Sequence, residues 1–319
     1  MSTPSFEKIN YAFRPAKHAQ RKMLCEALHR LGRLASLRTY RYVGFGSVGF
    51  HDFSLFHQRL GIDDMISIEA STRAKQRVSF NRPYACIRMK WGWSYDVLPT
   101  LSWPKRSIVW LDYEHSLDRK KLADISLVTS SLLSGSMLVV TLPVEPRHCD
   151  DAARSGPKHR LADLIGRVGE DRVPVEMIGP SLSGWGAAKV ERDIVNDEIV
   201  RTLLDRNDPL VSAQRVEYQQ LFNFRYDDGK RMMTVGGLLA NAGDRQLLGD
   251  SFEGLEFVRR AKPAYTIETP MLTIRELRFL DALLPTDSGR SQPKWLPAQD
   301  RQRYSRLYRH FPTFGVVEP

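Results

Sequence analysis

Residues 42 to 49 read Tyr42-Val-Gly44-Phe-Gly46-Ser-Val-Gly49. The stretch follows a short aromatic and apolar run predicted as a strand. It precedes Phe50-His-Asp-Phe-Ser-Leu-Phe-His57, predicted as a helix. Its glycines keep the spacing G-x-G-x-x-G, which lets a nucleotide approach the backbone closely between a strand and a helix. Twenty residues past Gly49, the apolar run Met65-Ile-Ser-Ile68 ends at Glu69. A carboxylate at the tip of the next strand accepts both hydroxyls of a ribose. The glycine pattern is weak alone. With Glu69 at this distance it points to a site for an adenosine-containing cofactor.

Outward from this loop, strands and helices alternate. Residues 15–34 predict a helix: Pro15 suits a first-turn position, and Met23, Leu24, Ala27, Leu28, Leu31 and Leu34 form one apolar face. Lys17, Arg21, Lys22 and Arg30 are expected on the opposite face, outside. Strands are predicted over 39–43, 65–68, 85–90, 107–111 and 137–142, with further helices over 71–80 and 117–133. Short, near-continuous apolar strands separated by helices indicate a buried parallel sheet. Right-handed crossovers then bring Gly44, Glu69, Trp91 and Asp112 to one edge. Two further runs, 220–226 and 231–237, flank Asp227-Asp228-Gly229-Lys230, a hairpin signal. Thr273-Ile-Arg-Glu276 is a capping box opening a helix, and 299–310 predicts a basic helix.

The expected class is therefore α/β, a doubly wound, mostly parallel, Rossmann-like sheet. A closing antiparallel hairpin and a helical C-terminal extension complete it. The expected organisation is an N-terminal helical segment over 1–38, a cofactor-binding core over 39–145 and an insertion over 146–213. The closing hairpin occupies 214–243 and the C-terminal extension 244–319. The insertion is polar and proline-containing, with helices expected over 161–168 and 187–204 and a loop at Ser181-Leu-Ser-Gly-Trp-Gly186.

The net charge of +10 favours an anionic partner such as nucleic acid, a nucleotide or an acidic protein. Residues 14–41 hold eight Lys or Arg against one acid, Glu26, and residues 290–310 hold six against Asp300. Arg14, Lys17, Arg21 and Lys22, and Arg301, Arg303, Arg306 and Arg309 with Tyr304 and Tyr308 between them, are candidates for phosphate and base contacts. A solvated surface is the equally weighted alternative. Cys25, Cys86 and Cys149 form no C-x-x-C pair or disulfide framework, and the eight histidines are scattered, so no metal is expected. No apolar run reaches the roughly 18 residues of a membrane span. The N-terminal residues lack a signal-peptide pattern, so a cytoplasmic location is expected.

These features resemble the class I S-adenosylmethionine-dependent methyltransferases over 40–145, and by topology over 214–240. The matching pieces are Val43-Gly-Phe-Gly-Ser-Val-Gly49, Ile68-Glu69, the strand ending Val-Trp-Leu-Asp-Tyr-Glu114, and Leu133-Ser-Gly-Ser-Met-Leu-Val-Val-Thr141. The chain is also similar to uncharacterised bacterial proteins labelled as O-methyltransferases. The resemblance implies S-adenosylmethionine as cofactor, held by Gly44, Phe45, Gly46, Ser47, Gly49 and Glu69. Trp91 is then placed to stack on adenine and Asp96 to accept from its amino group, with Trp93 as a second aromatic. Asp112 would orient cofactor or acceptor, and Glu114 or His115 would serve as base, with His51 and Asp52 also near the loop. The sequence departs from the DNA amino-methyltransferases: Asp112-Tyr-Glu-His115 stands where they carry Asp-Pro-Pro-Tyr or Asn-Pro-Pro-Tyr. No cysteine has the Pro-Cys setting of the cytosine C5 enzymes.

The expected function is methyl transfer to an anionic acceptor, nucleic acid being one candidate. The alternative is a non-catalytic methyltransferase-like binding or sensor subunit of a bacterial complex, with defence gene clusters as one setting and a protein as its partner. A third reading, an NAD-dependent oxidoreductase, shares the glycine spacing but not the preceding helix or the closing hairpin.

Overall fold

The computed structural model describes residues 14–144, 156–174, 182–261, 263–285 and 295–312. Cys149 and Ser181 lie outside them. Among the described residues the first element is α1 (Pro15–His29), Pro15 standing in its first turn as expected. Asp228, in the turn of the later hairpin, caps α1 by accepting from the backbone N–H of Ala16 at 3.3 Å and of Lys17 at 2.9 Å. Then follow β1 (Arg41–Gly44), α2 (His51–Leu60), β2 (Asp64–Glu69), α3 (Lys75–Phe80), β3 (Ile87–Trp91) and α4 (Ser94–Val97). Next are β4 (Ser107–Asp112), α5 (Arg119–Ser131), β5 (Ser136–Pro143), α6 (Pro157–Val168) and α7 (Trp185–Asn207). The last described elements are β6 (Glu217–Asp227), β7 (Arg231–Ala240), α8 (Ala242–Leu248), β8 (Tyr265–Ile267), α9 (Ile274–Asp281) and α10 (Ala298–Leu307).

These strands form one eight-stranded sheet in the order β3-β2-β1-β4-β5-β7-β6-β8. Neighbours from β3 to β5 are parallel, and β7 is antiparallel to both β5 and β6. The central strands β1, β4 and β5 are buried on both faces because their alternate residues enter two cores, whereas the edge strand β3 exposes Arg88 and Lys90. Tyr42, Met65, Ile108, Trp110, Met137 and Val139 face α1 and α2. Val43, Ile66, Val109, Leu111, Leu138 and Val140 face the α5 and α7 side. The stretch 146–213, read from sequence as an insertion, supplies α7, whose Val190, Ile194, Val195, Ile199 and Leu203 enter the second core.

The hairpin forms at the Asp-Gly signal, with Gly229 at φ 81°. The capping box of Thr273 and Glu276 starts α9 as expected. Three elements are unanticipated, the short α4 among them. α8 follows β7 directly, and β8 pairs in parallel with Phe224–Tyr226 of β6. Beside β8, the Gln220 side chain donates to the carbonyls of Arg259 and Ala261, and Arg259 N–H donates to Leu221 O at 2.7 Å.

Candidate active site

The carboxyl ends of β1, β2, β3 and β4 meet at one edge, and the glycine loop joins β1 to α2 there. None of Gly44, Gly46 and Gly49 takes the left-handed conformation; Ser47 (φ 50°) and Phe50 (φ 45°) do. Crowding favours the glycines instead, most strictly at Gly46. A Cβ on Gly46 would lie 2.5 Å from the buried Phe50 ring and 2.6 Å from Ser67 Oγ. On Gly44 it would lie 2.6 Å from the Tyr42 hydroxyl, and on Gly49 2.7 Å from His51 Nε2. Gly46 N–H donates to Ser67 Oγ at 3.0 Å, tying the loop to β2. The tight turn expected from sequence is thus built by the loop's own side chains closing on its backbone. Phe45 leans edge-on against Tyr113 at 5.4 Å.

Glu69 ends β2 and accepts from Ser71 N–H at 3.0 Å. Burial pushes its carboxyl above the usual range, opposed by the Ser71 N–H and reinforced by Glu114. Trp91 stands opposite Glu69 in the parallel register, with the Lys75 ammonium 5.4 Å from its ring centre. Asp96 lies in the short α4 and is exposed; Trp93 beside it is 55% exposed and stacks on Tyr95.

Asp112 ends β4, and the ammonium of Lys17 lies 2.7 Å from its Oδ2. Lys17 is 3% exposed and Arg21, one turn on, 7%. The expectation that this basic face of α1 points outward is therefore wrong for both residues. Lys17 sits over the Trp110 ring at 4.7 Å and faces Tyr226 at 5.8 Å. Burial outweighs the attraction of Asp112 and pushes Lys17 down to about 8. Asp52, at the start of α2, is also buried and bonded to the Tyr42 hydroxyl. Burial raises its carboxyl, against the pull of Arg21. His18 and His51 are both pushed down to about 4, first by burial and then by neighbouring cations, Arg21 among them. Both imidazoles are neutral at pH 7.

The structure thus brings Gly44, Phe45, Gly46, Ser47, Gly49, Glu69, Trp91 and Asp112 to one sheet edge. Glu114 and His115 follow Asp112 in sequence but are exposed in the turn beyond it, where the Glu114 carbonyl accepts from Lys230 at 3.2 Å. Lys17 and Arg21 are the residues that the reading of site chemistry missed. Their signal is the spacing 17, 21, 24, 28, which sets them in line with the buried Leu24 and Leu28. The C-terminal cations are also partly engaged. Arg303 pairs with Glu268 and Asp300, and Arg306 lies over Tyr265.

The residues fit an adenosylated cofactor. Ser47 Oγ is buried without a hydrogen-bond partner in the glycine loop, and such an orphan calls for a polar group from outside the chain. Glu69 supplies the strand-tip carboxylate. Among the described residues no helix is long and apolar enough to cross a membrane.

Several solved structures are similar at low identity. Trm1 from Pyrococcus horikoshii, in complex with S-adenosyl-L-methionine, is 11% identical with a TM-score of 0.46. The match covers 76% of this chain and 59% of that one, so the chain spans about three fifths of that protein's length. The O-methyltransferase TomG from Streptomyces achromogenes, involved in tomaymycin synthesis and solved with SAM, is 15% identical. Its TM-score is 0.39, with 73% of this chain and 92% of that one covered. An O-methyltransferase family protein from Burkholderia thailandensis is 12% identical, with a TM-score of 0.35 and 70% and 57% covered. No curated protein matches the sequence. Residues 9–319 match the family described as "Putative O-methyltransferase", and the chain belongs to that family.

Proposed function

We propose that this chain transfers a methyl group from S-adenosylmethionine to an oxygen of an anionic acceptor. The observation that carries this reading is the alignment of the glycine loop, Glu69 and the Lys17–Asp112 pair along one sheet edge. The glycine loop, with Ser47, would hold the cofactor's methionine part, Glu69 its ribose, and Trp91 and Asp96 its adenine. When bound, S-adenosylmethionine supplies an electrophilic methyl on sulfur. The chain's own task is alignment of the acceptor and removal of its proton. Asp112 accepts a hydrogen bond from the acceptor hydroxyl and takes its proton, while Lys17 keeps the carboxylate oriented.

The charge of +10 supports an anionic acceptor. Nucleic acid is the less supported choice, because Lys17 and Arg21 are committed to the interior. The second reading, a non-catalytic binding subunit, is favoured by the exposure of Glu114 and His115 in the turn beyond Asp112.

Titration calorimetry with S-adenosylmethionine and S-adenosylhomocysteine, with NAD as control, tests the cofactor. Micromolar binding of the first two and none of NAD is the expected result. Transfer of a labelled methyl group to phenolic acids, carboxylic acids or oligonucleotides then tests catalysis. Binding without transfer to any acceptor supports the second reading, and no binding overturns both the cofactor and the transfer.

A further inference from the structure

At the other end of the sheet, three side chains far apart in sequence converge. His57 lies in the last turn of α2, Asp63 in the loop before β2, and Cys86 just before β3. Their ligand atoms all lie within 4.8 Å of one another. His57 Nδ1 is 3.2 Å from Asp63 Oδ1, 3.7 Å from Cys86 Sγ and 3.1 Å from the carbonyl oxygen of Ile62. Three lone-pair atoms therefore crowd one ring nitrogen, which carries at most one proton. A cation at their centre would serve all of them.

We propose that His57, Asp63 and Cys86, with the Ile62 carbonyl, bind a thiophilic divalent cation of the zinc class. Nitrogen, oxygen and sulfur donors together match zinc, and tetrahedral zinc bond lengths set the donor separations at about 3.4 Å for N to O and about 3.6 Å for N to S. The observed 3.1, 3.2 and 3.7 Å lie close to those edges. The carbonyl end of α2, closed by Gly61 at φ 68°, adds negative potential on the same side. Arg38 approaches Asp63 through Oδ2 at 3.7 Å and leaves Oδ1 to the cluster. The Tyr84 ring, 4.4 Å from that of His57, walls the site, and Gln58 fixes Tyr84 by donating to its hydroxyl. The bound ion would staple α2, β2 and β3 at the end of the sheet away from Asp112, as a structural rather than catalytic site. Loading deprotonates the Cys86 thiol and displaces any proton from His57 Nδ1, so bound zinc replaces released protons.

The test uses the full chain stripped with a chelator and titrated with zinc against a chromophoric competitor, and separately with cobalt. One equivalent of zinc should bind and raise the melting temperature. Cobalt should give a thiolate-to-metal charge-transfer band. Cys86→Ser and His57→Gln should each weaken zinc by more than about 100-fold, beyond the roughly 10–100-fold cost of an outer-shell change. Cys25→Ser should leave it unchanged. Circular dichroism of the stripped variants establishes that they fold, and Asp63→Asn, at an exposed position, provides a second variant expected to fold and to bind weakly. The proposal is overturned if folded wild type takes up no stoichiometric zinc, or if cobalt shows no thiolate band, or if Cys86→Ser binds as well as wild type.

Discussion

The Lys17 ammonium lies 2.7 Å from Oδ2 of Asp112, so the first helix of the described chain holds the tip of the fourth strand. The contact ties α1, which also covers one face of the sheet, to the candidate site at the sheet edge.

Removing one partner of a buried pair leaves an uncompensated charge and costs about 3–5 kcal/mol. Asp112→Asn strands the buried Lys17 ammonium and is expected near that range, whereas Lys17→Met leaves only a partly hydrated carboxylate, removes an ammonium whose burial opposes folding, and should cost far less. The double variant should cost less than the sum of the two. Urea unfolding of the three variants measures this, and strictly additive costs would show that the pair does not interact.

The depressed Lys17 gives a pH signature. Below about pH 8 the ammonium is charged in both folded and unfolded chains, and its burial opposes folding in full. Between about 8 and the unfolded value of 10.5, the unfolded chain holds a proton that the folded chain has released. Stability must therefore rise with pH across that window relative to Lys17→Met. A flat difference between the two proteins over the window would place Lys17 near its ordinary value.

His18 and His51 act at the acid side. Their folded values near 4 lie below the ordinary 6.5, so the unfolded chain takes up protons first as pH falls. The stability they contribute is complete above 6.5 and is lost towards 4. The double variant His18→Gln, His51→Gln should show a shallower acid loss in that interval, read from thermal melts at steps of pH.

Gly46→Ala tests the crowded loop. Its Cβ must displace the buried Phe50 ring, and overpacking of this kind costs about 1–3 kcal/mol. Chemical denaturation should show that loss, together with weaker S-adenosylmethionine binding by calorimetry. An alanine variant as stable as wild type would mean that Phe50 moves freely.

Glu69→Gln separates ribose recognition from stability. Hydrogen bonds to a charged group contribute about 1.5–3 kcal/mol, so affinity for S-adenosylmethionine should fall about tenfold or more. The melting temperature should hold, because the substitution removes a charge that burial already disfavours. Unchanged affinity would remove Glu69 from the cofactor site.

The sheet is legible in the sequence because strands such as Ser107–Asp112 and Ser136–Pro143 are apolar almost throughout, as burial on both faces demands. Tyr265–Ile267 gives no such signal, because three residues carry no periodicity. The glycine loop is recognisable, but not the reason for its glycines, since Phe50 and Ser67 close on Gly46 only in three dimensions. Charge alone sends Lys17 and Arg21 outward, although their spacing matches Leu24 and Leu28. Inside, Lys17 pairs with Asp112 and Arg21 lies within electrostatic reach of Asp52, and those acids come later in the chain. Glu114 and His115 follow Asp112 in sequence but lie exposed in the turn beyond the strand, a difference in burial that adjacency alone does not reveal.

β8 covers only Phe224–Tyr226 of the eleven-residue β6, and the segment around Arg259 and Ala261 is bonded alongside the preceding stretch. Unpaired backbone along an outer strand is a template on which other chains assemble. The C-terminal extension thereby covers part of an edge that would otherwise lie open to pairing. A chain shortened after the closing hairpin would be expected to fail first by self-association, visible as scattering from a protein that still retains its secondary structure.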